Sequence, residues 1–116
     1  MKFEGIMPAL ITPLNEDNKT VNEKTARDLI EFQLGQGADG FYVLGSTGEG
    51  LVLDERERMK MLEICVDQVK GRKPIICHTA SINFDEAVRL SKHAEKAGAD
   101  AISAIPPIFF HYRTED

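Results

Sequence analysis

Four short apolar runs, separated by helix-like segments, constrain this fold more than any other feature of the chain. They are Ile6 to Thr12 (IMPALIT), Phe41 to Leu44, Pro74 to His78 (PIICH) and Ala101 to Ile105. The runs are continuously apolar and do not alternate, as expected of parallel strands covered on both faces. In the first intervening segment Asn22 is placed as an N-cap. Ala26, Leu29, Ile30 and Gln33 or Leu34 then share one face of a 3.6-residue period, and Gly37 stands ready to end the helix. Asp54 and Glu57 form a D-x-x-E start of capping-box type, followed by Met59, Leu62, Val66 and Val69, with a stop at Gly71. Asn83 and Glu86 open a third helix that turns Ala87, Leu90, Ala94 and Ala97 inward and closes at Gly98.

This alternation predicts an α/β fold with a parallel sheet. Gly37-Ala38-Asp39 recurs as Gly98-Ala99-Asp100, each between a helix end and an apolar run. Glycine supplies a left-handed helix exit there, and a short loop returns the chain to the sheet. Doubly wound sheets and (β/α)8 barrels both collect functional residues after strand C-termini. The polar residues here fall in such places: Thr12, Ser46-Thr47, His78-Thr79 and the segment after Pro107. No G-x-G-x-x-G turn follows the first run, which weighs against a dinucleotide fold. A barrel needs eight βα units in about 250 residues. Four strands and three helices make half of one, so residues 1–116 are expected to form the N-terminal half of a single barrel domain.

Composition narrows the function classes. The 116 residues suffice for one domain, and 42% hydrophobic with 28% charged residues is an ordinary globular mixture. No apolar run nears the roughly 20 residues of a membrane helix, and MKFEGIMPAL lacks a signal peptide's apolar region. The expectation is a cytoplasmic protein without a membrane partner. The net charge is −5, and DERERMK and KHAEK alternate in sign. Such runs are solvated helix faces and do not bind nucleic acid. Cys65 and Cys77 have no metal-ligand spacing and are expected to be small buried hydrophobes, with no metal site.

The stretch YVLGSTGEG, Tyr42 to Gly50, carries the chemistry. It lacks the G-K-[ST] of a Walker A loop and the central serine of a nucleophile elbow. Its glycines let the backbone approach a ligand and present N–H groups to an anion. With the hydroxyls of Ser46 and Thr47 and no accompanying lysine, it suits a small carboxylate better than a triphosphate. The alternative is a tight βα turn whose hydroxyls merely satisfy the backbone.

Three stretches extend this reading: PALITPLNED, DGFYVLGSTGEG with Leu53 to Arg58 after it, and HAEKAGADAISAIPP. In this order and spacing the chain resembles the N-acetylneuraminate lyase/dihydrodipicolinate synthase family of pyruvate-dependent class I aldolases. The resemblance covers essentially the whole chain. It implies a TIM barrel, usually tetrameric, that forms a Schiff base between a lysine and the keto group of pyruvate, without a separate cofactor. It would make Thr47 and the loop amides, including those of Gly45 and Gly48, the holders of the pyruvate carboxylate. Ser46 would take the catalytic proton-relay position, and Glu49 would orient the loop. G-S-T-G-E is the lyase form of the motif, whereas the synthases typically carry G-T-T-G-E. Phe109 aligns with a tyrosine of the synthases and has no hydroxyl to relay a proton, which also favours the lyase side.

Other residues are less determined. Thr12 either lines the pocket or caps the turn before Pro13. His78 either contacts substrate or is a satisfied buried histidine. His93 is expected on the surface, and His111 and Tyr112 stand near a site or subunit interface. The family's lysine lies near the end of the sixth strand and its tyrosine after the fifth, beyond the segments present here. None of Lys2, Lys19, Lys24, Lys60, Lys70, Lys73, Lys92 and Lys96 follows an apolar strand, so none qualifies as the nucleophile. The chain is therefore expected to be a segment of an N-acetylneuraminate lyase, with a dihydrodipicolinate synthase, another 2-keto-3-deoxy sugar acid aldolase or a non-catalytic half-barrel as the alternatives. In every case its open sheet edges should drive homo-oligomerisation or aggregation.

Overall fold

The computed structural model describes residues 2–108 and 113–115. Helix α1 spans Glu23–Gly35, α2 Glu55–Val69 and α3 Phe84–Ala97; strand β1 spans Phe41–Val43, β2 Ile75–His78 and β3 Ala101–Ser103. The strands are parallel in the order β1-β2-β3, with Phe41 opposite Ile75 and Cys77 opposite Ile102. A helix carries each crossover, as parallel pairing demands. This is an α/β architecture consistent with part of a barrel.

The expected count of four strands is corrected at the first run. Among residues 6–12 only Ala9 forms a bridge, parallel to Tyr42. Tyr42 donates to the Pro8 carbonyl at 3.0 Å and accepts from the Leu10 amide at 2.9 Å. Pro8 has no N–H to continue the ladder, so the run follows β1 without becoming a strand.

Two helix starts are local and match the sequence. Asn22 accepts from the Thr25 amide at 3.0 Å, and Asn83 accepts from the Glu86 amide at 3.1 Å. The D-x-x-E box does not form: Asp54 makes no side-chain cap bond, and Glu57 Oε2 accepts from the buried Val21 amide at 2.9 Å. Satisfying a buried donor from another segment outweighs the local box, because an unmet buried N–H costs about 1–3 kcal/mol.

The sheet has two different faces. Phe41, Val43, Ile75 and Cys77 point toward the helices and are buried with Ala26, Ile30, Leu62, Cys65, Val69 and Ala94. Period-2 alternation places Tyr42, Ile76, His78, Ala101 and Ser103 on the other face. That face is only partly covered, contrary to the two-sided burial expected from the apolar runs. At the edge, Ile102 of β3 is 52% exposed. His93, expected on the surface, has a side chain that is 16% exposed, and its Nε2 lies 2.8 Å from Glu63 Oε1, linking α3 to α2. No described helix is long and apolar enough to cross a membrane.

Candidate functional site

The turn after β1 folds back on its own strand. Leu44 and Glu49 take the left-handed conformation, with φ of 64° and 57°. The glycines serve close approach instead. A Cβ on Gly48 would lie 2.9 Å from the Leu44 nitrogen and 3.0 Å from the Leu10 carbonyl oxygen; one on Gly50 would lie 1.9 Å from the Leu44 carbonyl oxygen. Two backbone bonds close the turn, Glu49 N–H to the Ser46 carbonyl and Gly50 N–H to the Gly45 carbonyl. Thr12 adds a third, its buried hydroxyl donating to the Gly48 carbonyl at 2.7 Å.

These contacts leave one side of the turn available. The amides of Ser46, Thr47 and Gly48, and the hydroxyls of Ser46 and Thr47, enter no hydrogen bond among the described residues. Gly45, Ser46, Thr47 and Gly48 line a cavity of about 250 Å³, with Tyr42, His78, Ala9 and Ile105 completing its wall. Adjacent unpaired N–H groups make a concavity receptive to an anion. The cavity opens where β1 and β2 end, on the sheet face opposite the helices.

Among the residues singled out from sequence, Gly45, Ser46, Thr47, Gly48 and His78 meet at this cavity. Thr12 does not line it; its hydroxyl fastens the turn from behind. Phe109, His111 and Tyr112 lie outside the described residues. Glu49 is exposed, and its side chain does not cap the 3-10 turn at Gly50–Val52 that follows.

His78 is 3% exposed and its Nε2 accepts from the Ile105 amide at 3.3 Å. Burial and the nearby Arg58 cation both push its pKa below the ordinary 6.5, while the Leu44 carbonyl pulls the other way without meeting hydrogen-bond geometry. Arg58 is itself 2% exposed and donates through Nη1 to the Ala80 carbonyl at 2.7 Å and through Nη2 to the His78 carbonyl at 2.9 Å. Sequence reasoning gave Arg58 no role, because it stands in the charged run DERERMK, which reads as solvated. Tyr42 and Ser103 also went unassigned. Their hydroxyls meet at 2.8 Å across 61 residues. Only the strand register, which puts both on one sheet face, brings them together.

Cys65 and Cys77 are buried as expected, and burial lifts their thiols to about 12 and about 11. Among the described residues no three His, Cys, Asp or Glu side chains gather as a metal site. A second cavity of about 600 Å³, lined mainly by apolar side chains including Ile82, Phe84, Pro106 and Ile108, adjoins the first and shares Ile105 with it.

Comparison with known proteins bears on this geometry. The model of the Dihydrodipicolinate synthetase family matches residues 2–116. The chain is 44% identical over 107 residues to a 4-hydroxy-tetrahydrodipicolinate synthase of Bartonella bacilliformis, covering 92% of this chain and 36% of that protein. It is 38% identical over 114 residues to an N-acetylneuraminate lyase of Citrobacter koseri, covering 98% and 38%. Its structure matches that of CdNal from Clostridium difficile, solved in complex with mannosamine, with a TM-score of 0.93 and 35% identity over 99% of this chain and 40% of the other. The chain thus spans less than two-fifths of the length of the curated relatives it matches.

Proposed function

Because this chain belongs to the Dihydrodipicolinate synthetase family, we propose that its Gly45–Gly48 turn is the carboxylate grip of a pyruvate-dependent class I aldolase. The observation that carries this is the set of unpaired Ser46, Thr47 and Gly48 amides beside two free hydroxyls on a 250 Å³ cavity. Those donors would hold the carboxylate of pyruvate. The Ser46 hydroxyl can accept a proton on oxygen while releasing its own, which suits it to relay. Among the described residues no lysine lines the cavity. The Schiff base of the whole enzyme would therefore form on a lysine other than the eight in this sequence.

For the whole protein we favour cleavage of N-acetylneuraminate to N-acetylmannosamine and pyruvate, on the G-S-T-G-E form of the loop. A second reading, condensation of pyruvate with aspartate semialdehyde, is favoured by the higher identity to the Bartonella synthase. A homo-oligomer fits the apolar surface left open, where Phe84 is 78% and Ile82 70% exposed.

The test of the grip is titration of the isotopically labelled chain with pyruvate. The amide signals of residues 45–48 should shift together, and Ser46→Ala with Thr47→Val should abolish the shift. Signals that stay fixed at millimolar pyruvate would sink the proposal. Borohydride reduction with pyruvate should leave the mass of this chain unchanged. In the whole enzyme, pyruvate release from N-acetylneuraminate against consumption of aspartate semialdehyde decides between the two reactions.

A further inference from the structure

We infer that Arg58 is a positioning residue that holds His78 as a neutral imidazole protonated on Nδ1, so that the ring is a fixed acceptor for the segment after β3 and not an acid–base group. The inference deepens the proposed carboxylate site, on whose wall His78 stands, but the ring's state is measurable without pyruvate.

The first observation is the donor that the ring meets. An N–H can bond a ring nitrogen only where that nitrogen carries a lone pair. The Ile105 amide lies 3.3 Å from Nε2 with acceptable geometry. Nε2 is therefore unprotonated, and the proton of the neutral ring resides on Nδ1. Protonating Nε2 would set two donors against each other and break the tie between β2 and residue 105.

The second observation is a cation fixed to the same residue. Arg58 reaches from α2 with two N–H groups forked onto the His78 and Ala80 carbonyls, all buried. A guanidinium is permanently charged. A second positive charge on His78 would sit beside it with little water to screen it. Among the described residues no carboxylate compensates at the ring. Glu55 on α2 and Glu86 on α3 act on Arg58; Tyr42 on β1 meets the ring at 6.4 Å between centroids, and the preceding Cys77 is held neutral by burial.

The consequence is architectural. Ile105 lines both the 250 Å³ cavity and its 600 Å³ neighbour. The His78–Ile105 bond therefore fixes the wall between them, and burial together with the Arg58 cation secures that bond by keeping the ring uncharged.

The experiment is long-range ¹H–¹⁵N spectroscopy of the histidine-labelled protein across its pH range, with amide exchange at Ile105. In the wild type, His78 should show a lone-pair Nε2 and a protonated Nδ1, unchanged through the ordinary histidine range near pH 6.5. In Arg58→Met the midpoint should rise toward that range, with protection of the Ile105 amide lost as the ring charges. Arg58→Lys, which keeps a cation, should retain the neutral ring. An Nε2–H tautomer or an ordinary midpoint in the wild type would overturn the inference, as would an unchanged titration in a folded Arg58→Met. Should Arg58→Met fail to fold, the wild-type tautomer and a ring charging near 6.5 in Arg58→Lys remain decisive. Pyruvate plays no part in these readings, so failure of the carboxylate grip would be distinguishable from failure of this inference.

Discussion

Asp100 clasps Ile75 from both sides of one residue: its Oδ2 accepts from the Ile75 amide at 2.8 Å, and its own amide donates to the Ile75 carbonyl at 2.9 Å. Asp39 repeats both bonds with Ile6, each at 2.8 Å. The echoed Gly-Ala-Asp segments are therefore more than helix exits. Each aspartate ties the start of its own run to the neighbouring run in the sheet. Asp100→Ala should destabilise the chain by about 1–3 kcal/mol, because the partly buried Ile75 amide loses its acceptor. The Asp39→Ala cost should be smaller, since that bond is exposed. Urea unfolding followed by circular dichroism ranks the two; an equal or reversed ranking would refute the account.

The glycines of the turn can be tested against a glycine that nothing crowds. Gly48→Ala and Gly50→Ala force a methyl onto the Leu44 backbone and should each cost about 2 kcal/mol or more. Gly35, the last residue of α1, has nothing within 4 Å of its missing Cβ. Gly35→Ala should leave stability unchanged or raise it by up to about 1 kcal/mol. Thermal unfolding midpoints of the three variants decide the matter.

Thr12 should matter through its hydroxyl alone. Thr12→Val keeps the shape but leaves the buried Gly48 carbonyl unmet, for a loss of about 1–3 kcal/mol. Thr12→Ser restores the donor and should recover most of that loss. If Val and Ser behave alike in denaturant titrations, the bond contributes nothing to stability.

A pH dependence follows from His78. Its folded pKa lies below the ordinary 6.5, so just below 6.5 the unfolded chain binds more protons than the folded one. Stability therefore rises with pH in that window. The contribution is full above 6.5 and is lost as pH falls through 6.5 toward the folded value. The unfolding midpoint should drop between about pH 7.5 and about pH 5.5, and His78→Gln should flatten that drop. A drop of the same size in His78→Gln would assign it to other groups.

The two thiols should be silent in the folded state. With pKa values pushed up to about 12 and about 11 by burial, Cys65 and Cys77 carry almost no thiolate at pH 8. Colorimetric thiol labelling at that pH should be slow for the native chain and prompt in denaturant. Rapid labelling of two thiols without denaturant would contradict their burial.

The sequence by itself determined the three helices, three of the four expected strands and the place of the loop. Its 3.6-residue stripes and the Asn22 and Asn83 caps specify the three helices, because those preferences act within one or two turns. GSTGEG marked a tight turn after the second run for a similar reason, since glycines and hydroxyls that closely spaced act within the turn itself. Tertiary structure alone decided how distant groups meet. Glu57 left its local box to satisfy Val21, Arg58 turned from a charged run into the core, and Tyr42 met Ser103 through the sheet register. The first apolar run became a single bridge because Pro8 lacks the N–H that pairing needs. Each of these outcomes depends on a buried donor or acceptor finding its partner across many residues of chain, and periodicity contains no record of such pairs.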